Sequence, residues 1–349
     1  MLGIKELKEN NVKKDGKIEC PVKDCGTLVE LMTGNIQKNL GSYLIKGKDY
    51  DVDFDQYFCK EHKIFISPTS FLYNDIKDNL LWYDEDDKSL LEGIKGVKRF
   101  YAPFYSVNSE DAVSWNVFRF LERNNDLLGT FLTKIILSHT KNELISNPKV
   151  IYWSYSLSEK GRWNELEKVR KEFGEKTHLG SEPDLIVLSD KVLFFIEAKF
   201  AAKNENTPRN GNSKKYETGG NNWFTTVFQS DYKTVAIVAK KYELMRFWLL
   251  GTWIAKQLSL DFYLVNLVLA GEEKDIELVF KKHINEGPRR KFIRITWEEI
   301  YDYISNCNLS NENKNNKNIM MEYFMTKTIG YDKGRLKRAF SFPELISLS

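Results

Sequence analysis

The hydrophobic rhythm of the chain changes several times, and each change predicts an element. Residues 1 to about 105 carry short apolar patches and the loop-like run Ser67-Pro68-Thr69-Ser70, without sustained helical periodicity, which reads as a small irregular domain. From Ser109 onward Val117, Phe118, Phe120, Leu121, Leu127, Leu128, Phe131, Leu132 and Ile135 recur every three or four residues, as the buried stripe of one long helix does, with Ser109 placed to cap it. Val150 to Tyr155 is a strand-like run of β-branched and aromatic residues, followed by a charged helical stretch from about Trp163 to Phe173. Asp184 to Leu188 and Val192 to Phe200 read as two more strands, and Ser189-Asp190-Lys191 between them has the length of a tight hairpin connection.

A polar stretch from Ala201 to Asn222 then reads as a long loop, of the kind that often carries function. Helical signal resumes from Trp223 to about Leu258. Phe262 to Leu269 and Phe292 to Thr296 read as strands, and Thr296 is placed to cap a helix over Trp297 to Ile304. Asn306 to Asn318, with seven Asn in thirteen positions, reads as a solvated linker. The pattern therefore predicts two unequal domains. The first covers 1–105 and the second, an α/β core, covers 106–305; an Asn-rich linker (306–318) and a C-terminal segment (319–349) packing on the core complete the chain.

Composition supports a globular body: of 349 residues 42% are hydrophobic, 13% aromatic and 29% charged. The net charge of +3, from 52 basic and 49 acidic residues, decides little, because nucleic-acid binding depends on where positive charge gathers. No apolar h-region opens the chain. Its most apolar stretch, Phe247 to Ala270, is interrupted by Lys256, Gln257 and Asp261, so neither a signal peptide nor a membrane span is expected and a cytoplasmic location is. Four cysteines do not make a secreted disulfide framework.

Two constellations carry chemistry. In the first, Pro183-Asp184 is followed after twelve residues by Glu197-Ala198-Lys199. Strand alternation points Glu197 and Lys199 to one face, and a turn about Asp190-Lys191 pairs residues whose numbers sum to 381, which sets Asp184 opposite Glu197. Two carboxylates about 5 Å apart across a strand pair repel unless a cation sits between them, and few hard oxygen ligands suit Mg²⁺ or Mn²⁺. A lysine beside such a site can orient water or hold developing charge on phosphorus.

In the second, Cys20-Pro-Val-Lys-Asp-Cys25 and Cys59-Lys-Glu-His62 form two closely spaced ligand pairs, as structural Zn²⁺ sites do, leaving Cys307 over. The alternative is three free thiols and an unrelated histidine.

Asp184 through Glu197-Ala198-Lys199, on a hairpin after a helix and a strand, resembles the PD-(D/E)XK nuclease superfamily. The resemblance covers roughly residues 105 to 300. It implies a restriction-endonuclease-like core with a central mixed β-sheet flanked by helices, plus the small N-terminal domain. It further implies Asp184 and Glu197 as Mg²⁺ ligands, Lys199 as a helper in phosphodiester hydrolysis, and a role in restriction, repair or phage defence. The family often adds an acid from the helix before the first strand; Glu110 is the choice here, with Asp111 and Glu122 as rivals. Gln229 and Tyr232 loosely resemble an accessory Gln and aromatic that some branches carry on the helix after the hairpin.

A nuclease must neutralise phosphates. Residues 200 to 241 carry seven basic residues, among them Lys203, Arg209, Lys214 and Lys215, against three acidic ones. Lys281 to Arg294 carries six, including Arg289, Arg290 and Lys291, against Glu286, and Arg335, Lys337 and Arg338 form a third cluster. The expected partner is DNA, RNA being open, with a homodimer or a partner defence or modification protein as further expectations. A different class of function, a zinc-containing nucleic-acid-binding or assembly protein with an inactive core, fits the same residues.

Overall fold

The computed structural model describes residues 6–47, 50–98, 104–124, 127–137, 145–176, 180–200, 202–209, 214–340 and 342. In chain order the early elements are strands β1 (Lys13–Lys14), β2 (Lys17–Glu19) and β3 (Leu28–Glu30), helix α1 (Gly34–Lys46), and strands β4 (Phe58–Cys59), β5 (Ile64–Ile66) and β6 (Phe71–Tyr73). Helices α2 (Glu85–Val97), α3 (Glu110–Arg123) and α4 (Leu127–Leu137) follow. Next come β7 (Lys149–Tyr152), β8 (Tyr155–Ser156), β9 (Gly161–Arg162), α5 (Asn164–Glu172), β10 (Leu185–Leu188), β11 (Val192–Ala198), α6 (Lys214–Val227) and α7 (Tyr242–Leu258). The chain continues through β12 (Asp261–Val268), α8 (Ile276–Lys281), β13 (Arg290–Thr296), α9 (Trp297–Asn306), α10 (Asn311–Thr326), β14 (Thr328–Asp332) and β15 (Arg335–Arg338).

Contacts divide the chain into two units. The first is 1–83, 101–120 and 300–349; the second is 84–100 and 121–299. This differs from the sequential division expected from pattern alone, because the C-terminal segment belongs with the N-terminal one and the helix at 85–97 belongs with the sheet.

In the second unit seven strands form one mixed sheet in the order β13-β12-β11-β10-β7-β8-β9. β11, β12 and β13 run parallel, while β10 and β7 alternate in direction. The hairpin register is the expected one: Leu185 pairs with Ile196 and Leu188 with Leu193. Both faces of β11 are buried, as its unbroken apolar run requires. Ile186, Leu193, Phe195, Phe262, Leu264 and Phe292 join one core with α5, α6 and α7. On the other face the rings of Phe194 and Tyr263 stack at 5.3 Å. Helix α7 crosses closely, since a Cβ on Gly251 would fall 2.1 Å from the Phe262 ring. Among the described residues no helix is long and apolar enough to cross a membrane.

Several elements differ from the pattern. The expected single strand 150–155 breaks into β7 and β8, because Trp153 and Ser154 take positive φ (44° and 71°) and turn the chain back on itself. The single long helix becomes α3 and α4, capped as expected where Ser109 Oγ accepts from the Ala112 N–H at 3.1 Å. The loop from 201 to 222 gives way to α6 at Lys214, a helix whose residues 219–222 leave helical geometry, Gly220, Asn221 and Asn222 all having φ between 54° and 61°. A π-helix (Lys233–Val238) precedes α7. At Thr296 the cap is reciprocal: its Oγ1 accepts from the Glu299 N–H while Glu299 accepts from the Thr296 N–H.

The first unit has short strands, and it holds the thirteen-residue helix α1, which the sequence pattern did not signal. Two three-stranded sheets, β1-β2-β3 and β4-β5-β6, share one small core in which Ile18 and Val29 meet Ile64, Ile66, Phe71 and Tyr73, while Phe65 packs in a second with Leu40 of α1, Phe54 and Tyr57. The Asn-rich segment is not a linker: it enters α10, whose Met320, Tyr323 and Phe324 are buried, with Phe324 packed edge-on to Tyr301 and Phe340. Burial thus overrides the poor helix propensity of Asn. Just beyond, Lys327 is buried with its ammonium 3.1 Å from Asn79 Oδ1 and 4.9 Å from the Tyr323 ring.

Candidate functional site

In the second unit the site lies where β11 runs out. Glu197 is the penultimate residue of that strand and shares its face with Leu193 and Phe195, the face covered by α7. Asp184 directly precedes β10, in line with Glu197, and its Oδ2 accepts the Ala198 N–H at 2.9 Å. The carboxylate is thereby tied to the strand that carries Glu197. Lys199, one residue beyond β11, donates to Glu197 Oε1, and its backbone is fixed by Leu267 O at 2.7 Å and by the Trp297 indole at 3.1 Å.

The electrostatics of this corner are unbalanced. Burial first, and then the Asp184 carboxylate, hold Glu197 well above the ordinary carboxylate range, against the pull of Lys199; Glu243 pushes in the same direction. The pull of Lys199 on Glu197 is smaller than the push of burial and of Asp184.

Glu243, in the first turn of α7, is the acid that sequence reasoning missed. Its Oε2 lies 3.8 Å from Lys199 Nζ. No periodicity could reveal it, because α7 reaches this corner only after the crossover between the parallel strands β11 and β12. A buried polar network adjoins it. Asn266, in register with Glu197, donates to Glu273 at 3.0 Å and accepts from Asn204 at 2.5 Å, while the Lys241 ammonium donates to the Asn204 carbonyl at 3.0 Å.

The other expected residues each have their own setting. Glu110 and Asp111 open α3 and belong to the first unit. Glu122 accepts from the Tyr152 hydroxyl at 3.1 Å; Tyr152 pairs with Leu185, in the row whose side chains take the face opposite to Asp184 and Glu197. Gln229 serves the backbone, donating to Ile284 O at 2.7 Å. Tyr232 is buried, stacked on Tyr216 at 6.1 Å and edge-on to Tyr242. That aromatic group surrounds a buried ion pair, Arg246 with Glu175 at 3.0 Å, and Tyr216 donates to the same carboxylate. Arg246 and the Ser181 N–H keep Glu175 below the ordinary carboxylate range although burial opposes them.

The basic runs also separate. Lys203, Arg209 and Lys214 are exposed in the segment that follows Lys199, with Lys203 3.6 Å from Glu272; Lys215 is half-buried, 4.8 Å from the Tyr216 ring. Arg289, Arg290 and Lys291 lie at the other end of the sheet, because parallel strands all begin there. Arg290 is in register with Phe262 and Leu193, four residues before Glu197, which is about 13 Å of strand. Arg289 is already paired with Asp261 at 2.6 Å.

In the first unit Cys20, Cys25, Cys59 and His62 bring their ligand atoms within 4.8 Å of one another and could hold a metal such as zinc. Two hairpin turns present them: Cys20 leaves β2 and returns through Cys25, whose N–H donates to Val22 O, and Cys59 closes β4 ahead of His62. Cys25 Sγ lies 3.9 Å from Cys59 Sγ, and His62 Nδ1 lies 3.6 Å from Cys59 Sγ and 3.8 Å from Cys20 Sγ. Tetrahedral Zn²⁺ with ordinary bond lengths sets its ligand atoms about 3.6 to 3.8 Å apart, so the donor set fits that ion in kind and spacing. Burial pushes the Cys20 thiol up, which a bound cation would reverse.

Comparison of the chain with family models, with curated proteins and with solved structures gives no match.

Proposed function

We propose that this chain is a divalent-metal-dependent nuclease acting on DNA, with Asp184 and Glu197 as the metal-binding carboxylates and Lys199 as the residue that assists water. The observation that carries the reading is the pairing of two acids and a lysine on the buried hairpin end, with Glu197 held above its ordinary range by burial and by Asp184. Such a corner is costly to build and is relieved by a cation. Oxygen donors of this hardness suit Mg²⁺ or Mn²⁺.

When bound, the ion supplies charge neutralisation and polarisation at a phosphoryl oxygen. The protein does the rest. Asp184 and Glu197 fix where the charge sits, the Ala198 amide orients Asp184, and Lys199 holds and orients the attacking water or the developing negative charge. Lys203, Arg209, Lys214 and Lys215 offer positive charge for the backbone at this end of the sheet. The resemblance to PD-(D/E)XK enzymes adds restriction, repair or defence as the setting. In the first unit the Cys₃His cluster binds a structural zinc ion, since four protein ligands leave no open position.

The test is plasmid incubated with Mg²⁺ or Mn²⁺ and wild-type protein, Asp184→Ala or Lys199→Ala. Cleavage by the wild type alone supports the reading. Equal cleavage by all three sinks the site, and binding without cleavage by any of them favours a nucleic-acid-binding module.

A further inference from the structure

Lys199 meets Glu197 of its own hairpin and also an acid from a part of the chain remote from it. Its ammonium pairs with Glu197 and lies 3.8 Å from Glu243 Oε2. Glu243 is gripped twice by one side chain: Asn206 Oδ1 accepts the Glu243 N–H at 2.8 Å, and Asn206 Nδ2 donates to Glu243 Oε2 at 2.9 Å. Asn206 is itself fixed, its N–H donating to Lys240 O at 2.9 Å and its carbonyl accepting the Tyr242 N–H at 3.3 Å. Two residues earlier, Asn204 is buried and bonded to Asn266, Glu273 and Lys241. The segment after Lys199 is therefore riveted to the start of α7. An acid in a first helical turn ordinarily needs only the helix amides. Here a dedicated clamp aims it at a lysine.

We propose that Glu243, clamped by Asn206, is the positioning residue that keeps Lys199 in place once a divalent cation occupies Asp184 and Glu197. The inference rests on the nuclease reading above. A cation on Glu197 takes over the carboxylate that now pairs with Lys199 and repels the ammonium. A flexible four-carbon side chain then leaves unless a countercharge holds it from the other side. Glu243 supplies that charge, and Asn206 prevents Glu243 from following the cation.

The experiment uses the full chain with Glu243→Gln, Asn206→Ala, the double variant, and Asp184→Asn as reference. It measures plasmid cleavage in Mg²⁺ and, separately, Mn²⁺ binding by calorimetry. Each single variant is expected to lower kcat on the order of 10- to 100-fold, with KM and Mn²⁺ affinity within about twofold of wild type. The double variant is expected to be no slower than Glu243→Gln alone, since both changes remove one interaction. A kcat that does not change, fully additive losses, or a Mn²⁺ affinity that falls about tenfold in Glu243→Gln each overturns the positioning role; the last makes Glu243 a ligand. Undiminished Mn²⁺ binding and cleavage in Asp184→Asn overturns instead the underlying nuclease reading, and this role with it.

Discussion

The Cys₃His cluster of the first unit and the carboxylate corner of the second ask different things of a cation. The cluster is a closed set of four soft donors on hairpin turns, between two sheets whose strands are two or three residues long. An ion there would brace strands too short to build an extensive sheet core of their own. The corner is an open set of hard donors on strands buried on both faces, in a unit that already has an extensive core. There, on the proposed reading, the apolar core would carry the fold and an ion would not be needed for it. On the function proposed above, the first site would use a metal for folding and the second would keep one for chemistry.

The strongest way to break this contrast is to remove the soft ion. Chelation, or Cys59→Ser, is expected to lower the stability of the first unit on the order of 5 kcal/mol or more, while the sheet unit keeps its own transition. Metal analysis and calorimetry check it. Zinc-free protein with an unchanged melting profile would make the two sites equivalent.

At the corner the expected loss is in rate. Asp184→Ala and Lys199→Ala should each reduce cleavage on the order of 10³-fold, whereas Asp184→Asn without added cation should melt no lower than wild type, because a buried like-charge pair has been relieved. Plasmid assays and melting curves run side by side would show whether activity and stability part company here.

A buried charge in the first unit tests the same point without a metal. Burial brings Lys327 down to about 7, and its neighbours among the described residues include an amide oxygen and a ring. The folded-state value lies below the unfolded one, so the penalty is fully present below pH 7 and disappears as pH rises toward the unfolded value. Lys327→Met should therefore be more stable than wild type by on the order of 3 kcal/mol at pH 6, with the gap closing by about pH 10. Denaturant titrations across that range measure it, and a gap independent of pH would refute the assignment.

The smallest effect is expected far from the corner. Arg289→Ala and Arg290→Ala should change cleavage rate by less than about twofold, since single surface charges at a distance are screened. A larger change would place nucleic acid along the whole sheet.

The hairpin was legible because a period of two and a short connection fix both face and register, which puts Asp184 beside Glu197 without any knowledge of the rest. Glu243 and Asn206 were not legible, because their meeting depends on a parallel crossover. Arg289 to Lys291 looked suitable by charge and were misplaced by direction, since a parallel strand begins where its neighbour begins. The Asn-rich stretch misled in another way. Its composition describes the exposed side of α10, while Met320, Tyr323 and Phe324 decide that it is a helix.

The first unit also closes over a long span of chain. Leu336 donates to Glu9 O at 2.8 Å, Asn11 donates to Gly334 O at 2.6 Å, and the Tyr331 hydroxyl donates to Lys8 O at 2.9 Å. On a ribosome these partners emerge more than 300 residues apart, Tyr331 following Lys8 by 323. The sheet unit, complete at residue 299, can form first, while the stretch bearing the cysteines waits for the final strands of its own unit. Early capture of an ion by Cys20, Cys25, Cys59 and His62 would hold that nascent stretch together during the delay, so metal supply during synthesis would govern yield before it governs anything else.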